Sequence, residues 1–301
     1  MIYTVTLNPA VDYVIGVDNI KTGKVNRTSG EQIFFGGKGI NVSLVLSELG
    51  IKSVATGFTA GFTGKAIEEK LSLVGIKTDF TELPDGFSRI NIKIKSDEET
   101  EINGMGPDVP KEYLDEFLKG LSFLTEGDIL VLAGSVPKSV PDDIYEIIME
   151  KLSDNGVKFV VDASGELLTK VLPLKPYLIK PNHEELGEIF GVEIDSPETA
   201  EIYAKKLRDM GAVNVLVSMA EKGAILVDEN YETHFCKAIS GDVKNSVGAG
   251  DSMLAGFLAG LIKENDFDYA LKLGSASGGA TAFSYDLAKK DEIEKLFLKL
   301  L

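Results

Sequence analysis

VKFVVDASGELLTKVLPLKPYLIKPN, residues 157–182, contains two short β-branched runs, VKFVVDAS (157–164) and YLIKPN (177–182), with residues 165–176 between them. Each run is apolar through its middle and ends in small or polar residues. That is the pattern of a strand buried on both faces whose carboxyl end borders a crevice. The unit recurs in both directions along the chain. SVATG (53–57) and DILVLAG (128–134) precede it, and NVLVSM (214–219) follows. Helical stretches alternate with the runs: GINVSLVLSELG (39–50), GKAIEEKLSLVG (64–75), ETAEIYAKKLRDMG (198–211), AGDSMLAGFLAGLI (249–262) and the C-terminal DEIEKLFLKLL. Gly50, Gly75 and Gly211 close three of them, as glycine does just past a helix end. Repeated βα units predict an α/β fold with a mostly parallel sheet and helices on both faces.

Two stretches break this rhythm, at about 11–35 and 87–104, and read as antiparallel strand and hairpin material inserted into the α/β body. In the second, Ile90, Ile92 and Ile94 alternate with Arg89, Asn91, Lys93 and Lys95, so one face is oily and the other offers cations and an amide. This predicts a small β-sheet lid. The 301 residues carry 31 Lys and Arg against 47 Asp and Glu, a formal charge of −16. Such an acidic chain is no general nucleic-acid binder, because phosphate backbones demand a broad basic surface. A single Cys forms no internal disulfide, and the start MIYTVTLNPAVD has neither a basic leader nor a long apolar run. The expectation is therefore a cytoplasmic protein without membrane partners.

The strongest chemical motif is NSVGAGDSMLAGFLAG, residues 245–260. A Gly-Ala-Gly turn entering an apolar helix leaves the first-turn N–H groups unpaired, and the helix dipole adds positive potential there. Gly248, Ala249 and Gly250 would form an anion hole, with Asp251 placed to accept the proton of an attacking hydroxyl. The same residues also fit a tight turn with Asp251 as a helix cap. GGKGIN (36–41) is a second glycine-rich helix entry. Gly36, Gly37 and Gly39 let the backbone approach a small polar ligand, with Lys38 supplying a point charge and Asn41 a two-sided amide, or else the segment is a flexible turn with a solvated Lys. It is not a Walker A loop, since Gln32 stands at the first glycine position and Gly39 follows Lys38.

Arg89 and Asn91, with Arg27 on the other inserted segment, could grip a phosphate through guanidinium forks, although cations on an edge strand are ordinary surface features as well. Asp12, after Asn8-Pro9, suits sugar hydroxyls or a turn. Asn182 and Glu185 in KPNHEE share a helical face and could order the water shell of a Mg²⁺ ion, or form a simple capping pair. His183 and His234 lack a Cys/His cluster, and Cys236 reads as a buried strand residue.

GGKGIN, then N-x-x-E, then GAGD, in that order along some 300 residues, resemble the pfkB (ribokinase-like) family of carbohydrate kinases across the chain. TLNPAVD (6–12), SRINIKI (88–94), TEINGMGP (100–107) and NSVGAGDSM (245–253) look like its 1-phosphofructokinase branch. The resemblance implies one Rossmann-like, ribokinase-like kinase domain over 1–301, with a lid formed by about 11–35 and 87–104. It also implies ATP and Mg²⁺, and phosphorylation of fructose 1-phosphate at O6. Carried over by position, Asp251 is the base and Val247 to Gly250 the anion hole. Asp12, Gly37, Lys38, Asn41 and Arg89 make the sugar-phosphate site. Asn182 and Glu185 serve phosphates and, through water, Mg²⁺; Ser218 and Gly223 border the nucleotide. A homodimer through the lid is implied, with Arg27 acting across it. Met219-Ala220-Glu221-Lys222 stands where relatives often carry a glycine. Tagatose-6-phosphate kinase shares chemistry and lid, and a non-catalytic sugar-phosphate sensor would share the fold. A nicotinamide-dependent dehydrogenase fits the βα pattern but lacks its fingerprint after the first strand.

Overall fold

The computed structural model describes residues 1–301. Its strands are β1 Ile2–Thr6, β2 Ala10–Gly16, β3 Gly30–Gly36, β4 Ser53–Ala60, β5 Lys77–Leu83, β6 Arg89–Lys95, β7 Thr100–Asn103, β8 Ile129–Ala133, β9 Lys158–Asp162, β10 Leu178–Ile179, β11 Asn214–Ser218, β12 Ala224–Val227 and β13 Thr233–Cys236. Its helices are α1 Lys38–Glu48, α2 Gly61–Leu73, α3 Lys111–Gly120, α4 Ile144–Lys151, α5 Gly165–Thr169, α6 His183–Phe190, α7 Pro197–Asp209, α8 Ala249–Glu264, α9 Phe267–Ala282 and α10 Lys290–Phe297.

Nine strands form the main sheet in the order β13-β12-β11-β10-β9-β8-β1-β4-β5. All neighbours pair in parallel except β11–β12 and β12–β13, which are antiparallel. Alternation along each strand sends side chains to opposite layers. Leu130 and Leu132 of β8 join the core beneath one set of helices, while Val131 and Ala133 join the core under α1, α8 and α9. From β1 the chain moves outward through β4 to β5, then returns to β8 on the other side of β1. That reversal opens a crevice at the carboxyl ends of the central strands.

The two inserted stretches supply a second sheet, ordered β3-β2-β6-β7. Its hairpins β2–β3 and β6–β7 are antiparallel, as their sequence suggested, but the central pair β2–β6 is parallel. Those two strands come from different segments that leave the main sheet in the same direction, so no hairpin joins them. β10 is shorter than the apolar run around it. Pro181 has no N–H to continue the ladder, and Asn182 keeps only an isolated bridge to Ser218. Helix α9 had no amphipathic signature because it is packed on several sides, between α8 and α10. A Cβ on Gly256 would lie 2.3 Å from Ser277 Oγ and one on Gly260 2.5 Å from Ala270 Cα, so α8 seats against α9 at backbone distance. No helix is long and apolar enough to cross a membrane.

Candidate active site

Strand ends from β8 to β11 and the N-termini of α1 and α8 converge in the crevice. Helix α1 arrives there by close contact with β1. A Cβ on Gly37, whose φ is 129°, would lie 2.5 Å from Thr6 Cγ2, and one on Gly39 2.6 Å from the Val5 carbonyl oxygen. Thr6 Oγ1 in turn accepts the Ile40 N–H at 3.0 Å, satisfying one of the open donors of the helix start. The glycines of GGKGIN therefore seat a helix on a strand, and this places Lys38 and Asn41 over the crevice.

Helix α8 enters through Gly248 in the left-handed conformation, φ 79°. The Val247 N–H donates to Asn245 Oδ1 at 3.1 Å and the Ala249 N–H to the Ser246 carbonyl at 3.2 Å. The N–H groups of Gly248, Gly250 and Asp251 have no protein acceptor. The open donors are thus two of the four expected amides plus that of Asp251 itself. Asp251 is buried, at 6 % exposure, and Asn41 Nδ2 donates to its Oδ2 at 2.8 Å, joining the two glycine-rich motifs. Burial, followed by the negative charge of Asp162, pushes the Asp251 carboxyl up to about 6, with Asn41, Lys38 and Lys180 pulling the other way.

Asp162 and Lys180 belong to the same cluster and had been given no role from sequence. Asp162 ends β9 and is 1 % exposed; Lys38 Nζ lies 3.0 Å from its Oδ1 and Lys180 Nζ 3.4 Å from its Oδ2. Burial works against its charge, but Lys180 and Lys38 outweigh burial and hold the carboxyl below its ordinary range. Lys38 is likewise raised despite burial, by Asp162 and then Asp251. Lys38 thus sits beside Asp162 and Asp251, near the start of α8. The signal available was a polar ending on an apolar parallel strand: VVDAS and LIKPN both carry one.

Asp12, Asn91 and Arg89 gather on the second sheet. Asn91 Nδ2 donates to Asp12 Oδ1 at 2.7 Å, and Asn91 Oδ1 accepts the Gly104 N–H at 3.2 Å. Arg89 Nε donates to the Asn8 carbonyl at 3.1 Å, which leaves both terminal guanidinium nitrogens without a protein partner. Burial lowers its pKa, opposed by Asp12. A cleft of about 380 Å³ borders this group, lined among others by Asp12, Gly36, Asn41, Lys93, Val247 and Leu287. Arg27 is not brought in. It lies exposed in the turn between β2 and β3, without a hydrogen bond or ion pair, beyond the strand ends farthest from Asp12.

Asn182 and Glu185 form a reciprocal capping box at the start of α6, both bonds 2.8 Å long. Glu185 Oε2 is used there, and Oε1 has no protein partner. That oxygen suits the water shell of a hard cation, so the pair fits Mg²⁺ held through water. Ser218 ends β11 beside Asn182. Gly223, φ 96°, lets β12 and β13 close, since a Cβ there would lie 2.3 Å from the Cys236 carbonyl oxygen. The segment before it forms a 3₁₀ turn, Ala220–Lys222, with Met219 buried. His234 is held between Asp228 at 3.3 Å and Asp268 at 2.8 Å, tying β13 to α9.

A buried carboxylate, open amides and paired lysines at the start of α8, with a free guanidinium and Asp12 on the second sheet, suit transfer of a phosphoryl group to a hydroxyl of an anionic sugar. Comparison with known proteins agrees. The chain is 48% identical over 296 residues to a 1-phosphofructokinase of Bacillus subtilis, covering 98% of this chain and 97% of that one. It is 38% identical to a D-tagatose-1-phosphate kinase of Bacillus licheniformis, covering 98% and 97%. The crystal structure of phosphofructokinase-2 from Escherichia coli in complex with substrates and products superposes with a TM-score of 0.91 at 26% identity, covering 99% of each chain. The sequence profile of the pfkB family carbohydrate kinase matches residues 5–292, and the chain belongs to that family of carbohydrate kinases.

Proposed function

We propose that this kinase transfers the γ-phosphoryl group of ATP to O6 of fructose 1-phosphate, giving fructose 1,6-bisphosphate and ADP. The observation that carries the proposal is the Asp251 carboxyl, buried at the mouth of the open α8 turn and held by Asn41. With its pKa pushed up to about 6, it is mostly ionised at neutral pH and yet a stronger base than an ordinary carboxylate. Asp251 accepts the O6 proton as the O6–P bond forms and the bond from phosphorus to the ADP oxygen breaks. The Gly248, Gly250 and Asp251 amides, with Lys180 and Lys38, meet the negative charge on the phosphoryl oxygens. Asp12 orients sugar hydroxyls, and the free nitrogens of Arg89 hold the existing phosphate. Gly37 shapes the loop that presents Lys38 and Asn41. Ser218 and Gly223 border the nucleotide. Mg²⁺, held through water by Glu185 beside Asn182, supplies charge neutralisation on the triphosphate when bound.

Within this single kinase domain, 1–301, the second sheet acts as the lid, drawn from about 11–35 and 87–104. Its other face carries Tyr13, Ile33, Ile92 and Ile102 in one cross-strand row, with Ile33 and Ile102 more than half exposed. Apolar rows of that kind are ordinarily covered, and a second copy of the sheet covers this one in a homodimer. Arg27, exposed at the tip, reaches the partner's site. ATP and phosphorylated ketohexoses place the reaction in the cytoplasm. A coupled ADP-release panel over fructose 1-phosphate, fructose 6-phosphate, tagatose 1-phosphate, tagatose 6-phosphate and unphosphorylated sugars tests the proposal. The highest kcat/KM is expected for fructose 1-phosphate; preference for a tagatose phosphate would reassign the substrate, and no sugar-dependent ADP release would refute kinase activity.

A further inference from the structure

Asp162 is the most deeply buried carboxylate of the cluster, and no step of the transfer above requires it. Its two oxygens face two cations that come from different parts of the chain. Lys38 arrives from the start of α1, and Lys180 follows β10. Asp162 Oδ2 has no hydrogen-bond partner, so its only compensation is the ammonium of Lys180 at 3.4 Å. Lys180 is itself only 4 % exposed, and its Nζ lies 3.1 Å from where a Cβ on Gly250 would sit, against the open amides of α8. Lys38 is different, with 38% of its side chain exposed. One carboxylate thus gathers a fixed cation and a movable one beside the anion hole.

The charged groups facing one another here are Asp162, Asp251, Lys38 and Lys180, with the Glu185 charge also felt by Lys38. Two carboxylates balance two ammonium groups. Without Asp162, the two lysines would be left with Asp251 as the remaining carboxylate of the cluster. A buried ammonium without a counter-ion is strongly destabilised, so it would draw Asp251 into an ion pair. An ion-paired Asp251 is a weaker base and is turned away from an incoming hydroxyl.

We propose that Asp162 is a positioning residue for phosphoryl transfer: it is the internal counter-ion that stores Lys38 and Lys180 beside the anion hole and keeps them off Asp251 until phosphate arrives. This rests on Asp251 being the base. Triphosphate oxygens then compete for the lysines with more charge than one carboxylate offers. Lys38 swings to them from the cleft side while Lys180 stays between Asp162 and the α8 turn.

The test is Asp162→Asn, which keeps shape and removes charge. In ligand-free protein, the ¹³C shift of the Asp251 carboxyl, followed against pH, is expected to titrate about one unit or more below its wild-type midpoint. In turnover, kcat is expected to fall about 100-fold or more, with KM for the phosphosugar within about threefold, because Arg89 and Asp12 lie on the other sheet. Asp162→Glu should keep the wild-type midpoint and recover part of kcat. An unmoved Asp251 midpoint in Asp162→Asn overturns the proposal even if activity falls, since a merely structural role would do that. A kcat within about threefold of wild type overturns it too. Should Asp162→Asn not fold, the double variant Asp162→Asn/Lys180→Met removes the buried cation with its counter-ion. There the lost repulsion and lost attraction offset, and the Asp251 midpoint is expected to return near the wild-type value; a large drop in that variant contradicts the proposal. The carboxyl titration needs no substrate, so wild-type protein that releases no ADP with any sugar would refute the kinase proposal without deciding this one.

Discussion

Replacing Asp251 with Asn should make the protein more stable while disabling it. The carboxyl has a pKa of about 6 in the fold against an ordinary 3.8, a difference of about 2.2 units. At 1.36 kcal/mol per unit, ionising it inside the fold costs about 3 kcal/mol more than in the unfolded chain. Because the folded value lies above the unfolded one, the protonated group contributes stability that is full below about pH 4 and lost as pH rises through about 6. Asn is neutral at every pH and resembles the protonated acid in size and hydrogen bonding. The gain should therefore be near zero below about pH 4, about half its full value at pH 5, and about 3 kcal/mol at pH 8. For 301 residues the unfolding entropy is about 0.6 kcal/mol/K, so the full gain is about 5 °C in Tm. Scanning calorimetry of both proteins at pH 5 and pH 8 reads this directly. A lower Tm for Asp251→Asn at pH 8, or a gain that does not grow with pH, would refute the picture of a carboxyl held against its own ionisation. Stability exchanged for activity at a reactive group is expected where burial tunes a base.

Arg89→Ala should raise KM for the phosphosugar about 10- to 100-fold and leave KM for ATP unchanged; steady-state kinetics with each substrate varied would remove Arg89 from the site if the phosphosugar KM stayed put. Gly250→Ala puts a methyl group 3.1 Å from Lys180 Nζ and should lower kcat about tenfold, although alanine favours the helix by about 1 kcal/mol. Wild-type turnover in that variant would mean that Lys180 is free to move away. The double variant Ile33→Glu/Ile102→Glu should convert a dimer to a monomer in sedimentation velocity, and an unchanged sedimentation coefficient would place the interface elsewhere.

The sheet was legible because strands buried on both faces read as short apolar runs, and β8, β9 and β11 fall within the runs that announce them. Helix α9 was not, since a helix packed on several sides has no polar stripe to set its period. The Asn182 and Glu185 pair shows where local pattern stops: the spacing allowed both capping and metal service, and the capping box is what the residues form with each other. Gly37 and Gly39 looked like ligand-facing glycines, yet their tight contacts are with Thr6 and Val5, residues about 30 positions earlier that no local motif connects to them. Asp162 and Lys180 stood in plain view at strand ends. Their joint meaning depended on which strands are neighbours, and that is decided by sheet order, not by spacing along the chain.

The most direct test of the central claim is single-turnover rapid quench with γ-labelled ATP and saturating fructose 1-phosphate, comparing wild type with Asp251→Asn. If Asp251 takes the O6 proton, both proteins bind both substrates and the variant transfers label at least about 10³-fold more slowly. Transfer within tenfold of wild type would contradict the assignment of this carboxylate as the base.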